Sequence, residues 1–217
     1  MEMIGKVGFK GNYEFEHKRS IAVMREMGLS TEGLRKTLIS IPKKRAGFLG
    51  DLLTYVLSRV GLTRFNFSYT PAVILDAWDD ENLIPTEGLN SVLGVSVHAD
   101  TQITAWYMGI GSGNYTVDAS DTGANIVARV TEITAYTGNR QAITFSAPAA
   151  GSTDNSAAKV TFTFNNTVAT VTNAFVDSAA TGNGGKLLSS LKLGTAKTGF
   201  ASGDQLVVTF TLTAASV

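Results

Sequence analysis

The chain has 217 residues, of which 44% are hydrophobic and 17% charged, with 22 glycines, 4 prolines and no cysteine. This composition excludes a disordered chain, a disulfide-stapled scaffold and a thiolate metal site, and it suits a protein of many strands and turns held by packing and assembly. Lysine plus arginine total 18 and so do aspartate plus glutamate, but the basic residues gather in 18–64 and the acidic ones in 76–154, so the two stretches are expected to attract each other or to meet differently charged partners.

In chain order, residues 11–17 alternate Tyr13, Phe15 and His17 with Asn12, Glu14 and Glu16, the period of a half-buried strand. A segment of matching character, 72–78 (AVILDAW), is its expected partner across more than fifty intervening residues. Those intervening residues read as helical over 20–27, 30–39 and 48–60. In the last of these, Phe48, Leu49, Leu52, Leu53, Val56, Leu57 and Val60 form a continuous apolar stripe that needs a cover. With Lys43, Lys44 and Arg45 just before it, the stripe is the candidate partner interface. The stretch 46–62 is too short for a membrane span and carries Asp51 and Arg59. The N-terminal residues lack the apolar core of a signal peptide, so neither membrane insertion nor a signal peptide is expected. The stretch 21–38 also has the outline of a helix-turn-helix with Arg35 and Lys36 on its second helix, a lesser reading as a DNA-binding segment.

Downstream, Pro85 ends an extended segment, Thr86 caps a short helix and Glu87 sits in its first turn, where the helix dipole favours negative charge. Leu89, Val92, Leu93 and Ser96 give that helix one apolar face. Residues 103–110 read as a strand apolar on both faces, hence central in a sheet. Residues 114–125 read as a polar loop, and 125–136 as a strand or an irregular edge. Strands follow at 140–146, 159–165, 168–176, 186–193 and 205–213, separated by clusters of Gly, Asn, Ser and Asp. Val160, Phe162 and Phe164 face one side, as do Leu206, Val208, Phe210 and Leu212. The count is about eight strands, that of a jelly-roll-like antiparallel β-sandwich, with a helical insertion near the N-terminus. Two regions result: 1–71, a strand plus a basic helical arm, and 72–217, the sandwich.

Little points to catalysis. His17 and His98 are the only histidines, and neither has a serine or carboxylate at a motif spacing. The run GIGSGN (109–114) lacks the helix start and lysine of a phosphate loop and reads as a turn. Asp76, Asp79, Asp80 and Glu81 lack the spacing of a calcium loop and read as a charged strand edge. No cofactor, metal or enzymatic activity is expected.

The succession NLIPTEGLN, VSVHADTQITAWYMGIGSGNYT, TEITAYTGNRQAITFSAP, ATVTNAFVDS and SGDQLVVTFTLTA resembles the cement or decoration proteins of tailed bacteriophages. The resemblance covers 10–17 and 72–217. It implies a β-sandwich on the exterior of the capsid that clamps neighbouring copies of the major capsid protein, as a homo-oligomer and most simply a dimer. A phage fibre or spike protein that binds a receptor or glycan is the alternative.

Overall fold

The computed structural model describes residues 7–20, 24, 27 and 72–216. Of the expected helix at 20–27 and the helix-turn-helix outline only residues 20, 24 and 27 are described, and the expected helices at 30–39 and 48–60 and the candidate interface (Lys43, Lys44, Arg45, Phe48, Leu49, Leu52, Leu53, Val56, Leu57) lie outside the described residues. The chain divides into two compact units, one of residues 1–18 with 74–217 and one of 19–73. The first unit carries the β fold.

It is mainly β, an antiparallel sandwich of two sheets. The elements in order are β1 (Val7–Ser20), β2 (Ala72–Asn82), helix α1 (Thr86–Val97), β3 (Trp106–Gly111), helix α2 (Gly123–Val130), β4 (Gln141–Ile143), β5 (Ser152–Asp154), β6 (Val160–Thr163), β7 (Val168–Asp177), β8 (Leu187–Phe200) and β9 (Gln205–Ser216). One sheet runs β2-β1-β9, with both β5 and β6 pairing the far side of β9; the other runs β4-β3-β7-β8. The expected neighbours β1 and β2 are adjacent, as the matching alternation of their sequences anticipates. Nine strands stand among the described residues. The one that the sequence does not announce is β5, three polar residues long.

The alternating strands build the core. In β1 and β9 the register pairs Tyr13 with Phe210, Phe15 with Val208 and His17 with Leu206, and all six are buried. Phe162 and Phe164 of the β6 segment, Met108 and Ile110 of β3, Val176 of β7 and Leu191 of β8 meet them from their own strands. Each large side chain so buried contributes about 1.5–3 kcal/mol relative to exposure. The rings interlock: Tyr13 with Phe210 at 4.7 Å, Phe164 with Phe200 at 4.9 Å, and Tyr136 edge-on to Phe162 at 4.9 Å.

The side of the sandwich between β2 and β8 is closed by side chains. Asp76, Trp78 and Asp80 fall at every second position of β2. Asp76 pairs with Lys197 at 3.0 Å, and Asp80 accepts the Gly194 N–H at 3.3 Å. Trp78 lies flat on Phe15 at 5.0 Å with the Lys197 ammonium 4.4 Å over its ring. Between Val171 and Asn173 the register on β8 jumps from Lys197 to Lys192, a bulge that contains Gly194. Half of the acidic run thus fastens β2 to the bulged edge of β8, while Asp79 and Glu81 are exposed.

Four expectations are corrected. Residues 123–130 form a helix, not a strand or edge: the Thr122 N–H donates to Asn125 Oδ1 at 3.0 Å in a capping box, and Ile126 and Val130 recur at helical spacing. Strand β3 begins at Trp106 rather than 103. Helix α1 starts at Thr86, but Pro85 holds the N-cap position and the Thr86 N–H is bonded to the Ala119 carbonyl at 2.9 Å. The buried residues of α1 are Gly88 and Gly94, whereas Leu93 is 49% and Val97 81% exposed. Of the expected apolar face, Val92 packs on the core and Leu89 is half-buried, but Leu93 and Ser96 are exposed, because the helix meets β8 through Gly88. A Cβ on Gly88 would overlap the Leu188 carbonyl and lie 3.0 Å from that of Leu187.

Candidate functional site

The glycines of β3 explain where α2 lies. A Cβ on Gly109 would strike the Phe175 ring, and one on Gly111 would strike Val130 and its carbonyl. The run GIGSGN is therefore a bed for an aromatic ring and a helix. On it Tyr115, Ile126, Val130, Phe175 and Leu187 form a second, smaller apolar cluster. Asn173 and Thr172 donate to the Gly113 carbonyl, each at 2.8 Å, and fix the turn.

Around this cluster charges are paired, and at least one member of each pair is buried. Arg140 is 4% exposed. It holds Glu132 through two bonds, Nε to Oε1 at 2.7 Å and NH2 to Oε2 at 3.0 Å, and it donates to the carbonyls of Ala179 and Gly182. Its NH1 is 3.4 Å from Asp177 Oδ1, and its guanidinium lies 4.9 Å over Phe175. Burial works against its charge, but Glu132 and Asp177 outweigh burial and raise its pKa. On the other flank Asp121, fully buried, accepts from Tyr115 Oη and the Asp118 N–H and pairs with Arg129. Tyr115 also bonds Ser190 Oγ at 3.0 Å, and next to it Tyr13 bonds Ser189 Oγ at 3.0 Å. Burial raises the pKa of both phenols, so both stay protonated as these bonds require.

Between the start of α1 and the loop into α2 opens a polar pocket of about 420 Å³, lined by Thr86, Glu87, Asn90, Ser91, Asp100, Ala119, Ser120, Asp121, Thr122 and Lys186. Local hydrogen bonds hold its wall. Glu87 Oε2 accepts the N–H of Gly123 at 2.7 Å and of Leu187 at 2.8 Å, with Lys186 Nζ at 3.5 Å from Oε1. A carboxylate at the first residue of α2 also meets the positive end of that helix. Asp118 accepts both the Ser120 N–H and hydroxyl at 2.8 Å, which lower its pKa and hold the rim. Asn90 stands exposed at the mouth. Hydroxyls, an amide, carboxylates and one ammonium around an open cavity can exchange hydrogen bonds with a polar, uncharged ligand.

A second groove, about 320 Å³, runs beside Asn12, Glu14, Glu16, Ala77, Trp78 and Asp79. Burial opposes the charge of Glu16, but bonds from Lys18 at 2.7 Å and Lys159 at 3.2 Å win and lower its pKa. The Trp78 ring is already engaged by Phe15 and by the Lys197 ammonium.

Of the residues weighed for chemistry, His17 is buried with Nε2 2.9 Å from Asp204 Oδ2 and its ring against Phe200. His98 ends α1 in the open, 2.9 Å from Asp100. The structure does not bring the two together with a nucleophile. Of the pocket, sequence reasoning singles out only Thr86 and Glu87. The missed signal is Thr122 with Asn125 ahead of Ile126 and Val130, a helix start that would have placed the loop 114–122 beside α1. Among the described residues no helix is long and apolar enough to cross a membrane.

No curated protein matches the chain. Residues 86–215, from the first residue of α1 to the last but one of β9 and including the whole pocket, match a family model described as Podophage GP4 fiber I protein gp80. The match spans more than half of the 217 residues, and the chain belongs to that family of phage virion structural proteins.

Proposed function

We propose that this protein is a fibre-type component of a phage virion, and that its sandwich binds a host-surface glycan in the polar pocket between α1 and α2. The observation that carries the reading is the family match, which begins at α1 and takes in both pocket walls and seven of the strands. The pocket chemistry supports it. Neighbouring sugar hydroxyls act as donor and acceptor at once, and the wall offers both partners in Asn90, Ser91, Ser120, Asp100 and Lys186. The cement reading accounts for the β-sandwich equally but gives no role to a pocket, and the family's description names a fibre.

Competition for adsorption tests it. Purified protein added to host cells should reduce phage attachment, and Asn90→Trp, which fills the mouth from an exposed position, should abolish that competition without altering the melting temperature. Protein that leaves adsorption unchanged but binds phage shells lacking it would replace this reading with the cement one.

A further inference from the structure

Asp177 ends β7 behind the wall of the pocket, and its surroundings do not suit a charge. The side chain is fully buried. Oδ1 accepts the Ala179 N–H at 2.7 Å and has Arg140 NH1 at 3.4 Å, whereas Oδ2 has no hydrogen-bond partner among the described residues. Oδ2 rests against Gly123, where a Cβ would come within 2.7 Å of it. The same glycine gives its N–H to Glu87. Two carboxylates therefore press on one residue, the first of α2, from opposite elements. The cation that pairs with Asp177, Arg140, is already committed to Glu132 by two bonds, and Lys186 faces Glu87.

We propose that Asp177 is a proton-dependent latch on the pocket wall: protonated, it lets Glu87 and the α2 start pack tightly, and ionised, it loosens them. The inference does not depend on what the pocket binds. Burial first, then Glu87 and Glu132, raise the Asp177 pKa against the pull of the Ala179 N–H and Arg140. The sign follows by linkage. The folded state holds this proton more tightly than the unfolded chain, so the stabilisation is complete below the ordinary aspartate value of about 3.9 and is lost as pH rises through the folded value. A neutral isostere removes the charge while keeping the Oδ1 contacts.

Amide exchange and melting of the whole chain, compared across pH 4.5–8, test the latch. In the wild type the Gly123 and Leu187 amides, corrected for the intrinsic pH dependence of exchange, should lose protection as pH rises. Asp177→Asn should flatten that loss and melt higher than the wild type at pH 8. An Asp177→Asn protein that melts lower at pH 8, or keeps the wild-type pH dependence of protection, overturns the proposal. Should the variant not fold, carboxyl carbon shifts of the wild type decide: a midpoint for Asp177 above the other aspartates sustains the latch, and one in the ordinary range contradicts it.

Discussion

Between the two sheets the protein packs Tyr13, Phe15, Met108, Phe162, Phe200 and Phe210 with hardly a charge among them. On the other face of β7 it holds the buried Arg140, Asp177 and Asp121 together with the partly exposed Glu132 and Arg129, around Phe175 and the helix α2. The first region is held mainly by area removed from water. The second is held by geometry, because each buried ion costs several kcal/mol that only its partner returns. The contrast suits a scaffold that carries a site: the sandwich rests mostly on apolar packing, and the helix-bearing end can respond to charge.

The sharpest way to break the comparison is to remove the shared cation. Arg140→Ala leaves the buried Asp177 and the partly buried Glu132 without their cation and should cost about 3–5 kcal/mol at pH 7 by denaturant unfolding. That cost should shrink as the pH falls and the carboxylates take up protons. Phe162→Ala in the inter-sheet core should cost a similar amount, about 3–5 kcal/mol, with no pH dependence. If the two variants show the same pH profile, the division into two kinds of interior is wrong. A smaller effect is expected at the docking of α1. Gly88→Ala drives a methyl into the Leu188 carbonyl and should cost about 1–3 kcal/mol, read as a lower melting temperature with α1 amides exchanging faster. Least of all, Lys197→Ala should cost about 0.5–1 kcal/mol and shift Trp78 fluorescence, since it uncovers one face of the indole at the β2 edge.

The first region can be read in the sequence and the second cannot. Alternation in 11–17, 160–164 and 206–212 identifies which side chains enter the core, because period two in a strand is a local property. The partners of Arg140 are not local: Glu132 is eight residues away, and Asp177 and the Gly182 carbonyl about forty. Glu87 does sit in the first turn of α1 as its sequence position implies, yet its bonds go to Gly123 and Leu187. Glycine misleads in two ways. In α1 the packing surface is Gly88 rather than Leu93, and in β3 the GIGSGN run serves ring and helix contacts that only a known neighbour reveals. The resemblance to capsid cement proteins points to the virion and the sandwich, while the fibre assignment comes from the family match over 86–215.

The most direct measurement is where the protein sits on the particle. Gold-labelled antibody against the sandwich, viewed on intact virions by electron microscopy, should mark the fibres and leave the shell bare. Label spread over the shell at regular intervals, with the fibres unmarked, would contradict the account.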